Sequence, residues 1–231
     1  RLAKSWYQAG LDKLQRQVKD FHIKKLENGD IQVSAHITCH GTEESGFEHN
    51  CTYTVQSNGW IQVDNDIKPF GELPILPKLG VQLTVMGDFK NFHWYGRGPH
   101  ENYPDRKTGA AVSLYRSTVS EQYVPYVRPQ ETGNKEDVRW AAFTDSSGEG
   151  LLIAADDVLS VTALYYTASD LDKADHINEL TPRKDIILNL DTWQYGLGNG
   201  SCGPGVIKKY SLYPKSFDFS FSLHPYTMPK N

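Results

Sequence analysis

The sequence predicts an all-β fold: a large antiparallel sandwich with one or two short helices. Aromatic residues make up 12% of the 231 residues, and aromatic and β-branched side chains favour the pleated, half-buried surface of a sheet. Apolar and polar residues alternate in several segments, which is the period of a strand with one buried face. These segments are short and lie between turn residues, as is typical of an antiparallel sandwich.

The first segment has a different pattern. In residues 5–21, apolar side chains recur every three to five positions, at Trp6, Leu11, Leu14 and Val18. This spacing predicts a short amphipathic helix with a break near Gly10.

The next segments predict strands. Residues 31–39 alternate strictly between apolar and polar side chains, which indicates a strand with one buried face. Residues 48–66 predict two further strands joined by a hairpin turn at Asn58 and Gly59. Three prolines then predict an irregular connection before a strand at residues 81–86.

The second half of the chain predicts more short strands and one helix. The strand segments are residues 121–130, 138–145, 150–155, 160–166, 185–196 and 217–226. Residues 169–180 predict a helix capped by Ser169 or Asp170, because acidic residues fill its first turn. In total we expect about ten strands and two helices, in one domain that spans residues 1–231.

Charge and hydropathy limit the classes of partner. The net charge of −4 shows no basic excess, so we expect neither a nucleic acid nor a membrane as partner. No apolar run approaches the ~20 residues that a membrane-spanning helix needs. The chain does not begin with Met, so we expect it to be a fragment, and the sequence does not indicate a compartment.

Three cysteines are too few and too scattered for a disulfide scaffold. Cys39 and Cys51 flank a loop, where they could face each other across a hairpin, and we expect both to be small core residues. His40 and His49 add two imidazoles. However, neighbouring residues of a strand point to opposite faces, so we predict no metal site here.

The segment GRGPHENYPDRKTG, residues 96–109, holds a histidine and several charged side chains between glycines and prolines. Two interpretations are open: a site for proton transfer, or a loop that ion pairs fasten to the sandwich. We favour the structural interpretation. The side chains expected to pair within this loop are Arg97, Glu101, Asp105 and Arg106.

Residues 198–203, GNGSCG, formally match the glycine pattern of dinucleotide-binding loops. A proline and a glycine follow where such a loop needs the N-terminus of a helix, so we predict no dinucleotide site.

Four motifs resemble the C-terminal, small-chain domain of the β-galactosidases of glycoside hydrolase family two. They are WYGRGPHENYPDRKTGA (94–110), YVPYVRPQETGNKEDVRW (123–140), DKADHINEL (172–180) and GLGNGSCGP (196–204), in the order of the family. The resemblance implies a super-sandwich like that of galactose mutarotase. It also implies that no catalytic residue lies in this chain, because the family's two catalytic glutamates belong to a separate barrel domain.

The resemblance implies a role in substrate binding for one turn. In the best-known members, the loop after the Gly-x-Gly turn ends in a tryptophan that stacks on the sugar, and this position falls at Cys202. We therefore expect Asn199, Ser201 and Cys202 to be the substrate-binding residues. Two alternatives stay open: Trp193 or Tyr195 supplies the aromatic surface, or Cys202 only packs within the turn.

Partners follow from the same resemblance. We expect a β-galactoside bound in the context of the full chain, the catalytic barrel of that chain, and a homo-oligomeric parent enzyme. No cofactor is expected in this chain, and any Mg²⁺ or Na⁺ of the parent is expected in other domains. Family domains carry further strands ahead of residue 5, so we expect the chain to begin inside its domain and to expose a sheet edge that favours dimerisation or low solubility.

Two other functions are weighed against this one. The aromatic residues of 93–96 and 191–196 suit an independent sugar-binding module. An aldose mutarotase would need a histidine pair and a glutamate, for which the candidates are His93, His100, His176 and Glu101. The mutarotase motifs do not match this sequence, so we disfavour that activity.

Overall fold

The structure is a computed structural model that describes residues 2–200 and 202–229. Antiparallel strands dominate it. The strands are β1 (Gln15–Lys25), β2 (Ile31–His40), β3 (Gly46–Val55), β4 (Ile61–Phe70), β5 (Lys78–Val85), β6 (Asn91–Gly98), β7 (Ala111–Thr118), β8 (Lys135–Thr144), β9 (Glu149–Leu164), β10 (Ile186–Gln194) and β11 (Phe217–Thr227). The two α-helices are α1 (Leu2–Gln8) and α2 (Ala168–Lys173). The prediction of an all-β antiparallel fold with one or two short helices is confirmed.

Nine strands form one continuous path in the order β1-β2-β3-β4-β11-β9-β8-β6-β7. Strand β10 leaves this path, since it pairs with the last part of β9 and, on its other side, with β5. Side chains of β5, such as Leu83, line the same apolar cavity as Val63 of β4 and Phe221 of β11. The two parts of the sheet therefore face each other as two layers.

The core lies between these layers and is rich in aromatic and aliphatic side chains. Phe92 stacks on Trp94 and on Phe143, with ring centroids 4.6 and 4.8 Å apart. Leu188 and Leu190 of β10 are completely buried. The predicted strand at 217–226 is confirmed as β11, and its phenylalanines at 217, 219 and 221 all contribute to this core.

The prediction of a short helix in residues 5–21 with a break near Gly10 is confirmed only for the first part of this segment. Helix α1 ends at Gln8, and from Gln15 the chain forms β1, which pairs along its length with β2. Gly10 separates the two elements with a φ of +66°. The spacing of Leu11 and Leu14 arises instead from a turn that packs both side chains against the core. Backbone pairing with β2 overrides the local helical pattern here.

Other element predictions need correction. Residues 121–130 contain no strand, since only a 3₁₀ turn (Val119–Gln122) is formed and two prolines follow it. Residues 150–155 and 160–166 belong largely to one long strand, β9, because the backbone stays extended through Asp156 and Asp157, where a turn is expected from the sequence. The cap of α2 is Thr167, whose side chain accepts a hydrogen bond from the Asp170 N–H. The helix ends at Lys173 and not near residue 180, and one 3₁₀ turn follows.

Cys39 and Cys51 are buried, as predicted for core residues. They do not face each other, since Cys39 is paired with Phe47 and Cys51 with Ala35. Within residues 2–200 and 202–229, no group of three or more His, Cys, Asp or Glu side chains is placed to hold a metal ion. In that same part of the chain, no helix is long and apolar enough to cross a membrane.

Strand β1 lies at one edge of the sheet, and all of its residues are exposed. Its apolar side chains Val18, Phe21 and Ile23 are more than half exposed. An exposed edge of this kind can pair with another strand. Dimerisation through an open sheet edge therefore stays a prediction.

Candidate functional site

Glu101 is the centre of the loop at residues 96–109. Its side chain is 8% exposed. It accepts hydrogen bonds from Arg106 Nη2 at 2.7 Å, from the Gly133 N–H at 2.8 Å and from the hydroxyl of Tyr126. These donors come from three separate stretches of chain. The carboxylate therefore fastens the loop to the segment that leads into β8, and its acceptor sites are occupied by the protein.

Arg97 lies in β6 and pairs outside the loop. Its Nε donates to Asp137 of β8, and its Nη1 donates to the Ala110 carbonyl at 2.8 Å. Lys107 also binds Asp137, with Nζ 2.7 Å from Oδ1. Burial opposes the charge of Asp137, but the hydrogen bonds from Lys107 and Arg97 outweigh it and hold the pKa of this carboxyl below its usual value.

Asp137 has an unusual backbone conformation. Its φ is +54°, in the left-handed region that residues other than glycine rarely adopt. It lies where the pairing of β8 with β9 shifts register, between Lys135 and Val138. The shift turns the carboxylate toward Arg97 and Lys107, so a local irregularity of the strand positions a charged group.

Asp105 joins the loop to a distant turn. Its Oδ1 accepts from the Leu197 N–H at 3.0 Å, and its Oδ2 accepts from the Gly198 N–H at 2.7 Å. The carboxylate also requires a glycine at position 196, because a Cβ there would lie 2.7 Å from Asp105 Cγ. The turn that follows residue 196 is therefore held at its base by a side chain some 90 residues earlier in the sequence.

Of the three expected substrate-binding residues, the structure describes two on this turn. Asn199 and Cys202 are exposed, and the Asn199 carbonyl accepts hydrogen bonds from the N–H groups of Cys202 and Gly203 at 3.1 and 2.6 Å. Ser201 lies outside the described residues. The structure brings Asn199 and Cys202 together at the surface, on the turn that Asp105 anchors.

A cavity of about 550 Å³ lies beside this anchor, and Asp105 forms part of its wall. We call it the Trp193 cavity, and the residues that define it are Arg97, Lys107, Glu136, Asp137, Trp193 and Gln194. The indole of Trp193 is 38% exposed, whereas Gln194 is 4% exposed. Burial raises the pKa of Glu136, although hydrogen bonds from Ser160 and Asn134 and the charge of Lys107 partly offset this effect.

Gln194 Oε1 is buried and has no hydrogen-bond partner among the described residues. An unpaired buried amide oxygen is unfavourable, so such a group in a cavity wall indicates a missing partner. Of the residues that define the cavity, the sequence patterns single out Arg97 and Trp193 but miss Glu136, Asp137 and Gln194. Glu136 and Asp137 lie within the motif at 123–140, and Gln194 lies in the segment 191–196, but neither pattern places the three together. The register shift in β8 and the pairing of β10 do so.

The candidates for mutarotase chemistry are not assembled around one cavity. His100 and Glu101 share a shallow surface depression. His176 is exposed and pairs with Glu179 at 2.9 Å, whereas His93 lies within β6. The depression that holds Glu101 includes neither His93 nor His176 among its described lining residues.

The comparisons with known protein sequences all point to one family. The family model described as "Beta galactosidase small chain" matches residues 1–223. A β-galactosidase of Priestia megaterium is 34% identical over 227 residues, which cover 96% of this chain and 21% of the relative. One from Arthrobacter sp. (strain B7) is 32% identical over 91% of this chain and 21% of its own length. One from Kluyveromyces lactis is 29% identical over 95% of this chain and 22% of its own length.

The chain therefore spans about a fifth of the length of these relatives. Among solved structures, a GalM/aldose epimerase homologue from C. elegans aligns over 91% of this chain and 70% of its own, at 12% identity. The TM-score of 0.43 is too low for this likeness to identify which type of sandwich the chain forms.

Proposed function

The chain belongs to the β-galactosidase small-chain family, and from this premise we propose that it is the C-terminal domain of a retaining β-galactosidase. The activity of the whole protein would be hydrolysis of terminal β-D-galactosides. The length of the chain relative to the β-galactosidases that it matches supports this division, since they are about five times longer.

In this proposal the chain is not catalytic by itself. A retaining glycosidase uses two carboxyl groups about 5–5.5 Å apart, one as the acid and base and the other as the nucleophile. Glu101, whose side chain is 8% exposed, is already bound by Arg106, Gly133 and Tyr126. These contacts support a structural role and leave the carboxylate poorly placed to act on a substrate.

The turn at residues 197–203 is the part that we assign to galactoside binding. The observation that supports this assignment is the anchor of the turn: Asp105 binds the N–H groups of both Leu197 and Gly198. A turn held at its base presents exposed groups, here Asn199 and Cys202, with little conformational entropy left to lose on binding. Ser201 belongs to the same proposal through its place in the sequence.

We assign contact with the catalytic barrel to the outer face of β6 and β7. Tyr95 and Leu114 are paired across these strands, and they are 38% and 66% exposed. Val112, the next residue on this face of β7, is 38% exposed. Adjacent exposed apolar side chains on a regular sheet suit a contact with a neighbouring domain. A homo-oligomeric parent enzyme is part of the same proposal, supported by the open edge at β1.

Replacement of Cys202 by Trp in the full-length protein tests the role of the turn. An indole at this position offers an apolar surface to the C–H face of a sugar, so we expect KM for lactose to fall about fivefold, equivalent to about 1 kcal/mol of stacking. Ile207→Trp is the matched control, because residue 207 is also exposed but lies beyond the turn. An unchanged KM for every galactoside in Cys202→Trp would remove the turn from substrate binding.

A further inference from the structure

We propose that the Trp193 cavity binds a pyranose ring, at a site that belongs to this chain alone and does not need the catalytic barrel. The inference goes beyond the proposed function, which concerns the exposed turn and a galactoside held against another domain. The Trp193 cavity has a volume of about 550 Å³, which lies within the range of about 300–1,000 Å³ that small-molecule sites usually have.

The charges of the cavity select a neutral ligand. Its basic and acidic lining residues are Arg97, Lys107 and Lys209, and Asp105, Glu136 and Asp137. The three positive charges and three negative charges cancel. Arg97 and Lys107 are also already paired with Asp137, so neither is free to neutralise a phosphate or carboxylate. An anionic ligand would therefore gain little electrostatic energy here.

The same groups suit hydroxyls. A sugar hydroxyl both donates and accepts hydrogen bonds, so it can bind to a carboxylate and to an ammonium or guanidinium group at once. Glu136, Asp137, Lys107 and Arg97 supply both kinds of partner in one wall. Hydrogen bonds to charged groups are about twice as strong as those between neutral groups, which favours a ligand with several hydroxyls.

Gln194 supplies the observation that points to a missing ligand. The side chain is 4% exposed and lines the cavity, yet its Oε1 has no partner among the described residues. The free energy lost by burying an unpaired amide oxygen is recovered when a donor reaches it. Oε1 is closed off from the cavity in the structure, so the Gln194 side chain must turn toward a ligand before a hydroxyl can donate to it.

The aromatic wall completes the site. Trp193 lines the cavity and keeps 38% of its surface exposed, and Tyr210 lies beside it in the lining. The C–H groups of one face of a pyranose are apolar, and a flat indole buries them at little entropic cost. A lining that contains both polar groups and aromatic rings matches the two kinds of surface of a sugar ring and fits a linear polyol less well.

Binding of D-galactose to the 231-residue chain, followed by saturation-transfer NMR, tests the proposal. We expect saturable binding with a Kd of about 1–10 mM, and no saturation with glycerol, which has hydroxyls but no ring. Trp193→Ala should weaken the binding at least about tenfold, equivalent to about 1.4 kcal/mol. Trp60→Ala is the matched control, because Trp60 is also exposed (45%) but does not line the cavity.

Gln194→Leu separates a binding role from a structural one. The replacement has a similar size and removes the unpaired oxygen, so it should raise Tm or leave it unchanged while weakening the binding of galactose severalfold. The absence of saturable galactose binding to the unsubstituted chain would overturn the proposal. Equal affinities in the Trp193→Ala and Trp60→Ala variants would overturn it as well.

The test also distinguishes this proposal from the proposed function. The 231-residue chain contains no barrel domain, so binding to it reports on the Trp193 cavity and not on a galactoside pocket between domains. Failure of this test would leave the Cys202→Trp experiment unaffected. Conversely, an unchanged KM in Cys202→Trp would not alter the galactose affinity of the chain.

Discussion

Asp105 binds Gly198: Oδ2 of the carboxylate accepts a hydrogen bond of 2.7 Å from the backbone N–H of a residue 93 positions further along the chain. With the companion bond to the Leu197 N–H, this contact links the two most conspicuous segments of the sequence. The charged loop at 96–109 positions the glycine-rich turn at 197–203, and the Trp193 cavity lies beside their junction.

Removal of the anchor should loosen the turn. In Asp105→Ala the N–H groups of Leu197 and Gly198 lose a charged acceptor, and hydrogen bonds of this kind contribute about 1.5–3 kcal/mol each. We expect amide hydrogen exchange in residues 197–203 to become about 10–100-fold faster. Asp157→Asn, at an exposed position of β9, is the control and should leave that exchange unchanged.

Gly196 should be required for the same reason. A Cβ at this position would lie 2.7 Å from Asp105 Cγ and 2.8 Å from its Oδ2, so Gly196→Ala must displace the carboxylate that holds the turn. We expect a loss of about 1–3 kcal/mol in the free energy of unfolding, measured with urea. At Gly205 no described atom lies within 4 Å of an added Cβ. Gly205→Ala should therefore change that free energy by less than about 0.5 kcal/mol, and equal losses would refute the steric argument.

Glu101 should make a large contribution to stability. Its carboxylate is 8% exposed and binds Arg106, Gly133 and Tyr126. Glu101→Ala leaves these donors without their acceptor, and removal of one partner from a buried charged network typically costs about 3–5 kcal/mol. Urea unfolding should show this loss. Glu43→Ala, at an exposed site, should show a change below about 0.5 kcal/mol.

Asp191 should make the protein less stable as the pH rises from about 4 to about 6. Burial raises the pKa of this carboxyl from 3.8 to about 6, although the charge of Lys78 partly opposes the shift. Between these two pH values the folded state binds a proton that the unfolded state has released. The contribution of Asp191 to stability is therefore greatest below pH 4 and is lost as the pH rises through 6.

The measurement compares the protein with Asp191→Asn in urea between pH 4 and pH 7. The quantity of interest is the unfolding free energy of the unsubstituted protein minus that of the variant. This difference should fall by up to about 3 kcal/mol over this pH range, because one pKa unit corresponds to about 1.4 kcal/mol. Asp157→Asn, at an exposed position of β9, is the control. A flat difference for Asp191→Asn would show that the buried carboxyl is ionised throughout this range.

The fold could be predicted where side chains alternate and turn residues separate the strands. Strand β2, the hairpin at Asn58 and Gly59, and the phenylalanine face of β11 follow from these local signals. Strand β1 was missed because its own apolar residues have a helical spacing, although it forms a hairpin with β2 whose turn contains Asn28 and Gly29. The length of β9 was also hidden, since it changes partner from β11 to β10 without a turn.

The candidate site could also be predicted from the sequence only in part. The sequence singles out Arg97, Glu101, Asp105 and Arg106, but it suggests that all four pair within their loop. Only Glu101 and Arg106 do so, whereas Arg97 binds Asp137 and Asp105 binds the turn. The residues of the Trp193 cavity are brought together by a register shift in β8 and the pairing of β10, and neither feature has a local sequence signal.

The measurement that tests the central claim most directly is hydrolysis of a chromogenic β-galactoside by the purified 231-residue chain. The proposed function predicts no turnover above the blank at any substrate concentration, because it assigns both reacting carboxylates to another domain. Saturable turnover at a rate typical of enzymes, about 1 per second or faster, would contradict it.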